Sequence, residues 1–413
     1  MTMPHAGGHR NRVSDTLVSM WVNALAVLLL AAPPAVPAVK AAACGPVVTQ
    51  GLAEAPWALA RLRPDLAWPL STGAGVKVAV IDSGVSSDHP TLSGKVLPGN
   101  DFVVPGAGSC DENGHGTLIA GIIAGREHSS NGFVFQGIAP NASVVPVRVL
   151  RDQNRSFERD MPARIATAIR WAVDSGGAKV INLSLSTTDD PQLSASVKYA
   201  LDKGVVLVAA AGNESGGSNS TFPAAYDGVL GVAAVDRQDK HSDTSSSGQY
   251  VDLAAPGKQI SGPSPAGGGY LYSEPGGTSF ASAYVSGVVA LLLAYEPALT
   301  PKEVGRRLMD TADHPAGIWN PAVGYGVVNP QRSLGVLQLN GAQSTALARV
   351  RPAAPPPDPL AEVTSVATIV GLSGAATVLI VLFSAAAWRR GRRRGWRPSR
   401  RRVEEPSRAP TPL

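Results

Sequence analysis

Four short segments of the chain carry residues whose types suit nucleophilic chemistry. In "VKVAVIDSGV" an apolar run reaches Asp82 and then turns at Ser83-Gly84. A carboxylate beside a core must be paired or hydrogen-bonded, because an isolated buried charge is costly. In "DENGHGTLIAGIIAG" His115 stands between two glycines at the mouth of a helix rich in small residues. A helix N-terminus disfavours imidazolium, whereas a neighbouring carboxylate stabilises it and selects the tautomer. In "VVLVAAAGNESG" a strand-like run ends at Gly212-Asn213, and the Asn amide can donate to a developing oxyanion. In "PGGTSFASAYVSGVVALLLAYEP" Ser279 follows Gly276-Gly277-Thr278 and opens a long apolar stretch. A histidine could activate its hydroxyl there while its own backbone N–H faces the oxyanion.

Taken singly, each residue has an ordinary reading: a turn-capping Asp, a structural His, an Asn in a turn, a Ser capping a helix. Together they spell an activated serine. The order is Asp82, His115, Asn213, Ser279, with gaps of 33, 98 and 66 residues, and Asp–His–Ser is one of three chain orders in which this triad occurs. The segments "VAVIDSGV", "NGHGTLIAGIIAG", "AAAGN" and "GGTSFASAYVSGVVALL" resemble the signature segments of subtilisin-like serine proteases, and "AAPG" at Ala254 to Gly257 fits the same family. That resemblance runs from about Trp68 to Leu337. The flanking "RLRPDLAWPLSTGAGVKVAVIDSGV" and "CDENGHGTL", a short N-terminal extension and a C-terminal apolar segment followed by Arg look like the mycosins, membrane-anchored subtilases of type VII secretion systems in actinobacteria.

The resemblance implies a serine endopeptidase. Ser279 would attack the peptide carbonyl, His115 would carry the proton, and Asp82 would orient His115. The Asn213 amide and the Ser279 N–H would bind the oxyanion. Ser184-Leu185-Ser186 matches the strand edge to which substrates add, and Ala209-Ala210-Ala211-Gly212 would flank the first specificity pocket with it. Ser186 stands where many subtilases have Gly, so the pocket is expected to be narrower. Leu118 replaces the second His of the family's "HGTH", and "TSFA" replaces "TSMA"; neither change removes a catalytic group. Protein or peptide substrates and a type VII secretion membrane complex are the implied partners. No cofactor is expected. The seven His show no HExxH, and no Asp-rich loop specifies calcium, so no metal site is assigned.

The elements that must position these residues form an alternating pattern. Strand candidates are "VKVAVI", "SVVPVRVL", "KVINLSLS", "GVVLVAAA" and "GVLGVAAV"; helix candidates include "HGTLIAGIIAG", "PARIATAIRWAVDSG" and "DPQLSASVKYALDKG". Continuous apolar strands between helices predict an α/β fold, subtilisin-like by resemblance, with a mostly parallel central sheet covered on both faces. Ligands in such sheets bind beyond the carboxyl ends of the strands. The stretch opening at Ser279 is too short and too serine-rich at its start for a membrane span, and reads as a buried helix. In it Ala281, Ala283 and Gly287 allow close approach, and Ser282 and Ser286 are expected to bond the helix backbone.

Both ends of the chain suggest export. Hydrophobic residues make up 44% and charged ones 16%. The formal charge of +5 sits in the tail: Arg389 to Leu413 holds ten Arg and two Glu, and the other 388 residues carry a net −3. A nucleic-acid footprint spread over the body is thereby excluded. His9, Arg10 and Arg12 precede an apolar run from Leu17 to Ala32 and the small residues of "AVKAAACG". This reads as a signal peptide over residues 1–43, with an uncleaved anchor as the other reading. Residues 44–63 form an extension, 64–340 the protease domain, and 341–362 a Pro-rich linker. Val363 to Ala387 contains no charge and, with Trp388 at its edge, predicts a transmembrane helix over 363–388. The basic tail, 389–413, then lies on the cytoplasmic side, giving a single-pass type I protein of the cell membrane.

The chain's two cysteines, Cys44 and Cys110, suit one disulfide in an exported chain, strapping the extension across the body near His115. The extension is too short for the inhibitory pro-domain most secreted subtilases carry. Two other functions are open: a scaffold of the secretion complex with dispensable proteolysis, and a membrane-tethered binding module. The second explains the anchor but not the four motif segments.

Overall fold

The computed structural model describes residues 2, 44–151, 158–213, 220–335, 361–393 and 395. The expected signal peptide apart from residue 2, the linker up to residue 360 and nearly all of the tail beyond 393 lie outside the described residues. Two units, Met1–Leu337 and Gln338–Leu413, are distinguished.

In the first unit the strands are β1 Lys77–Asp82, β2 Asn100–Asp101, β3 His128–Ser130, β4 Phe133–Phe135, β5 Ser143–Arg148, β6 Val180–Leu183, β7 Val206–Ala210, β8 Leu230–Val235, β9 Leu253–Pro256, β10 Ile260–Pro263 and β11 Tyr270–Ser273. The α-helices are α1 Trp57–Leu62, α2 His115–Ala124, α3 Met161–Asp174, α4 Pro191–Asp202, α5 Thr278–Tyr295, α6 Pro301–Thr311 and α7 Pro330–Gly335. Seven strands make one sheet in the order β2-β5-β1-β6-β7-β8-β9. Every pairing in it is parallel. All five strand candidates fall in this sheet.

The sheet is buried on both sides, which is why its strands read as continuous apolar runs. Along β1, side chains alternate between faces. Val78 and Val80 join the core of α2 and α5, while Ala79 and Ile81 join that of α3 and α4. Local chemistry fixes the helix starts. Asp190 accepts from the N–H groups of Gln192 and Leu193 at the head of α4. At α6, Thr300 and Glu303 form a reciprocal capping box followed by Pro301.

Helix α5 is long and apolar enough to cross a membrane, yet 83% of it is buried inside the body. It is a buried core helix, as expected, although burial rather than shortness is what sets it apart from a span. A Cβ at Gly287 would lie 2.6 Å from Ile138 Cβ, so only glycine permits this approach.

The extension is built into the body. Val47 bridges Ala266, Leu52, Ala58 and Leu62 are buried, and Trp57 Nε1 donates to the Lys258 carbonyl at 3.0 Å. A disulfide joins Cys44 to Cys110 across a separation of 66 residues.

In the second unit, one helix, α8, runs from Ala361 to Arg393 and covers the expected apolar span. Its side chains from Val378 to Phe383 and Trp388 are exposed.

Candidate active site

Strand order around β1 dictates where a site can form. The chain leaves β1 for β5 on one side and reaches β6 on the other, so the crevice opens beyond the carboxyl ends of β1 and β6. Asp82 is the last residue of β1 and is fully buried. His115 is the first residue of α2, whose entry needs a left-handed backbone at Gly114 (φ 91°). The two elements meet closely: a Cβ at Gly116 would lie 2.0 Å from the Gly84 carbonyl oxygen.

This approach sets the pair. His115 Nδ1 lies 2.7 Å from Asp82 Oδ1, so Nδ1–H donates to the carboxylate and Nε2 is the free basic nitrogen. The Ser83 N–H donates to the same oxygen at 2.7 Å. Burial pulls the His115 pKa down, but the Asp82 charge and hydrogen bond, with Asp111 behind them, outweigh burial and raise it above the ordinary value.

Ser279 is the second residue of α5 and is partly exposed at the helix mouth. Its hydroxyl donates to the Ser184 carbonyl at 3.2 Å; among the described residues it forms no hydrogen bond with His115. Asn213 is fixed from the opposite direction. Its Oδ1 accepts from the Thr278 N–H and the Thr278 hydroxyl, both at 2.9 Å. Thr278 Oγ1 in turn accepts from the Gly212 N–H at 3.1 Å. With its oxygen so occupied, the Asn213 amide nitrogen is left to donate outward. A cleft of about 220 Å³ is lined by His115, Asn213, Gly277, Ser279 and Phe280, with Leu271 and Tyr272 of β11 in its wall.

A second carboxylate, passed over in the sequence, stands behind the triad residues. Buried Asp111 accepts from the N–H groups of Gly114 and Thr117, both at 2.8 Å, and from the Thr117 hydroxyl at 2.6 Å. Ser83 Oγ lies 2.9 Å from Asp111 and 3.1 Å from Asp82, so its one proton is shared between the two carboxylates. Burial pushes the Asp111 pKa up, opposed by these donated hydrogen bonds. The available signal was position alone, four residues before His115 in "DENGH" and beside Cys110.

Below Ser279 a buried polar chain ties α5 to β6. Asn182 Nδ2 donates to Ser184 Oγ at 2.8 Å, and Ser184 Oγ lies 2.9 Å from the Ser279 carbonyl. Ser282 donates to that carbonyl at 2.8 Å, the helix-backbone bond expected of it. Ser286 corrects the expectation: it donates to the Asn182 side chain at 2.9 Å, across to the sheet rather than along the helix. A tertiary partner on β6 overrides the local choice.

Among the anticipated substrate-contacting residues, Ser184 touches Ser279 directly. Leu185 and Ala210 are buried, and Ser186 is partly exposed. Gly212 needs its glycine, having φ 103° beside the Thr221 and Ser246 side chains. Among the described residues, no group of three or more His, Cys, Asp or Glu could hold a metal ion.

Residues 73–326 match the subtilase family model, peptidase S8. The chain is 41% identical to thermitase of Thermoactinomyces vulgaris over 233 residues, covering 56% of this chain and 80% of that protein. It is 37% identical to mycosin-4 of Mycobacterium tuberculosis over 344 residues, 73% of this chain and 74% of that protein. The solved structure of the MycP3 protease from the type VII (ESX-3) secretion system superposes with a TM-score of 0.62 at 33% identity, over 69% of this chain and 91% of that one. With the triad residue types gathered at one crevice and these likenesses beside them, the chain belongs to the subtilases and, among them, to the mycosins.

Proposed function

We propose that this serine endopeptidase cuts polypeptides with an Asp82–His115–Ser279 triad, faces outward from the cell membrane, and processes proteins secreted by a type VII system. The observation that carries the reading is the 2.7 Å bond between His115 Nδ1 and Asp82, in a cleft that also holds Ser279 and Asn213. Ser279 Oγ attacks the substrate carbonyl and gives its proton to His115 Nε2. Asp82 and, more remotely, Asp111 stabilise the imidazolium ion. The oxyanion forms between the Asn213 amide and the Ser279 N–H, donors already held in place and therefore not reorganised during reaction. His115 then protonates the leaving amine, and water repeats the sequence on the acyl-enzyme. For this the Ser279 hydroxyl turns from the Ser184 carbonyl toward His115, exchanging one hydrogen bond for another.

The uncharged run within α8, with Arg following it, supports a membrane span that keeps the protease domain outside and the tail in the cytoplasm. A second reading, a scaffold of the secretion complex whose proteolysis is dispensable, is favoured by the resting Ser279 hydroxyl, bonded to Ser184 instead of His115. Secretion measured in cells carrying Ser279→Ala and in cells lacking the whole protein separates the two. Loss of secretion in both supports the protease; intact secretion with Ser279→Ala and loss only on deletion supports the scaffold.

A further inference from the structure

Beside the catalytic cleft lies a larger cavity of about 700 Å³, walled by Gln50 to Glu54 of the extension and by Arg237, Gln259, Ser261 and Tyr272. Leu271 and Tyr272 line both spaces, so the cavity continues the cleft along β11. Resting on the protease reading above, we propose that this cavity and the outer edge of β11 bind the departing half of the substrate, an extended polypeptide several residues beyond the cut, added as a strand.

The hydrogen-bond pattern of β11 argues for strand addition. One edge of β11 pairs antiparallel with β10, matching Tyr270 to Pro263 and Tyr272 to Ser261. Pro263 has no N–H, and the Tyr270 N–H points away from β10 to the Gln50 carbonyl at 2.8 Å. Strand alternation turns Tyr272 to that same outer edge. The Leu52 carbonyl of the extension accepts from Asn131 Nδ2 at 3.2 Å rather than from β11. Among the described residues the Tyr272 N–H has no backbone partner beyond its β10 register, and its side chain is 53% exposed. An open strand edge recruits an extended chain.

The walls suit backbone rather than one charged group. Buried Leu52 and Tyr270 give an apolar base, and Arg237 is neutralised by Glu54 and bonded to Gln259 at 3.1 Å. The acyl half of the substrate is expected along Ser184 to Ser186, where the Ser184 carbonyl already touches Ser279. The cavity opens along β11 instead, which leaves it for the half that departs. The extension, strapped by Cys44–Cys110, thereby becomes part of the substrate-binding surface.

The test compares kcat/KM of the full-length chain for two peptides with one acyl-side sequence and the same scissile amide bond, one ending a single residue past the cut and one extended by six residues past it. Extension should raise kcat/KM about tenfold, roughly the worth of two net backbone hydrogen bonds. Ala53→Trp, which fills the cavity, and Tyr272→Ala should each bring the ratio of the two values back toward one. Single backbone N-methylation along the six residues should abolish the gain at one or two positions, independently of any variant. Equal kcat/KM for both peptides, or a gain untouched by both Ala53→Trp and N-methylation, overturns the proposal while Ser279-dependent cleavage of the short peptide keeps the protease reading intact. Failure to cleave either peptide overturns both.

Discussion

Replacing Asp111 with Asn should move the acid limb of the pH–rate profile to lower pH. In the proposed mechanism His115 must be neutral to take the Ser279 proton, so activity is lost as pH falls through its pKa, which its surroundings raise above the ordinary value. Asp111 contributes to that elevation from behind Ser83, whose hydroxyl lies 2.9 Å from one carboxylate and 3.1 Å from the other. The two groups couple as second neighbours through that shared hydroxyl, and a pair of unit charges at such range interacts by about 2 kcal/mol at an effective dielectric constant of 20. Partial screening halves this, so loss of the Asp111 charge should lower the His115 pKa by about one unit. The acid limb of kcat/KM then shifts down by about one pH unit. Asn also turns an NH₂ group toward the Gly114 or Thr117 N–H that Asp111 now accepts, costing on the order of 2 kcal/mol of stability. The profile is therefore measured with a short peptide at a temperature where circular dichroism matches the wild type. A folded Asp111→Asn enzyme with an unmoved limb, or one at higher pH, would refute the reasoning.

Three further outcomes follow from particular contacts. Asn213→Ala removes a donor already oriented by Thr278 and should lower kcat by about 10²–10³ with little change in KM, read by steady-state kinetics. Cys44→Ser opens a crosslink spanning 66 residues and should cost about 4 kcal/mol, or about 7 °C in Tm, in calorimetry without reductant. Asp252 has its pKa pushed up by burial to about 6, with one N–H, from Gly231, opposing the rise. A carboxyl raised above its unfolded value weakens the fold once ionised, so Asp252→Asn should add up to about 2 kcal/mol above pH 6 in urea titrations, a gain that fades as pH falls from 6 towards 4.

The site was legible because its residues interrupt patterns. Asp82 and Asn213 end apolar strands, and His115 and Ser279 open small-residue helices behind glycine. Each departs from the hydrophobic periodicity around it, and the sheet's switch point brings them together. Asp111 was hidden because "DENG" reads equally well as a solvated turn; only the fold seals it against Thr117 and Ser83. The Ser286 partner was unreadable for a related reason, since Asn182 reaches it from β6, far away in the chain. The extension's place in the core rests on isolated residues such as Leu52 and Leu62, too few to form a period. The hairpin β10–β11, rich in Gly and Pro, gave no strand pattern, yet it supplies a wall of the cleft.

The central claim, that Ser279 is the activated nucleophile, is tested most directly by reacting the outer domain with a fluorophosphonate probe and mapping the modified residue by mass spectrometry. The geometry predicts stoichiometric labelling on Ser279, absent in Ser279→Ala and greatly slowed in His115→Ala. Labelling of Ser279→Ala equal to that of the wild type would contradict it.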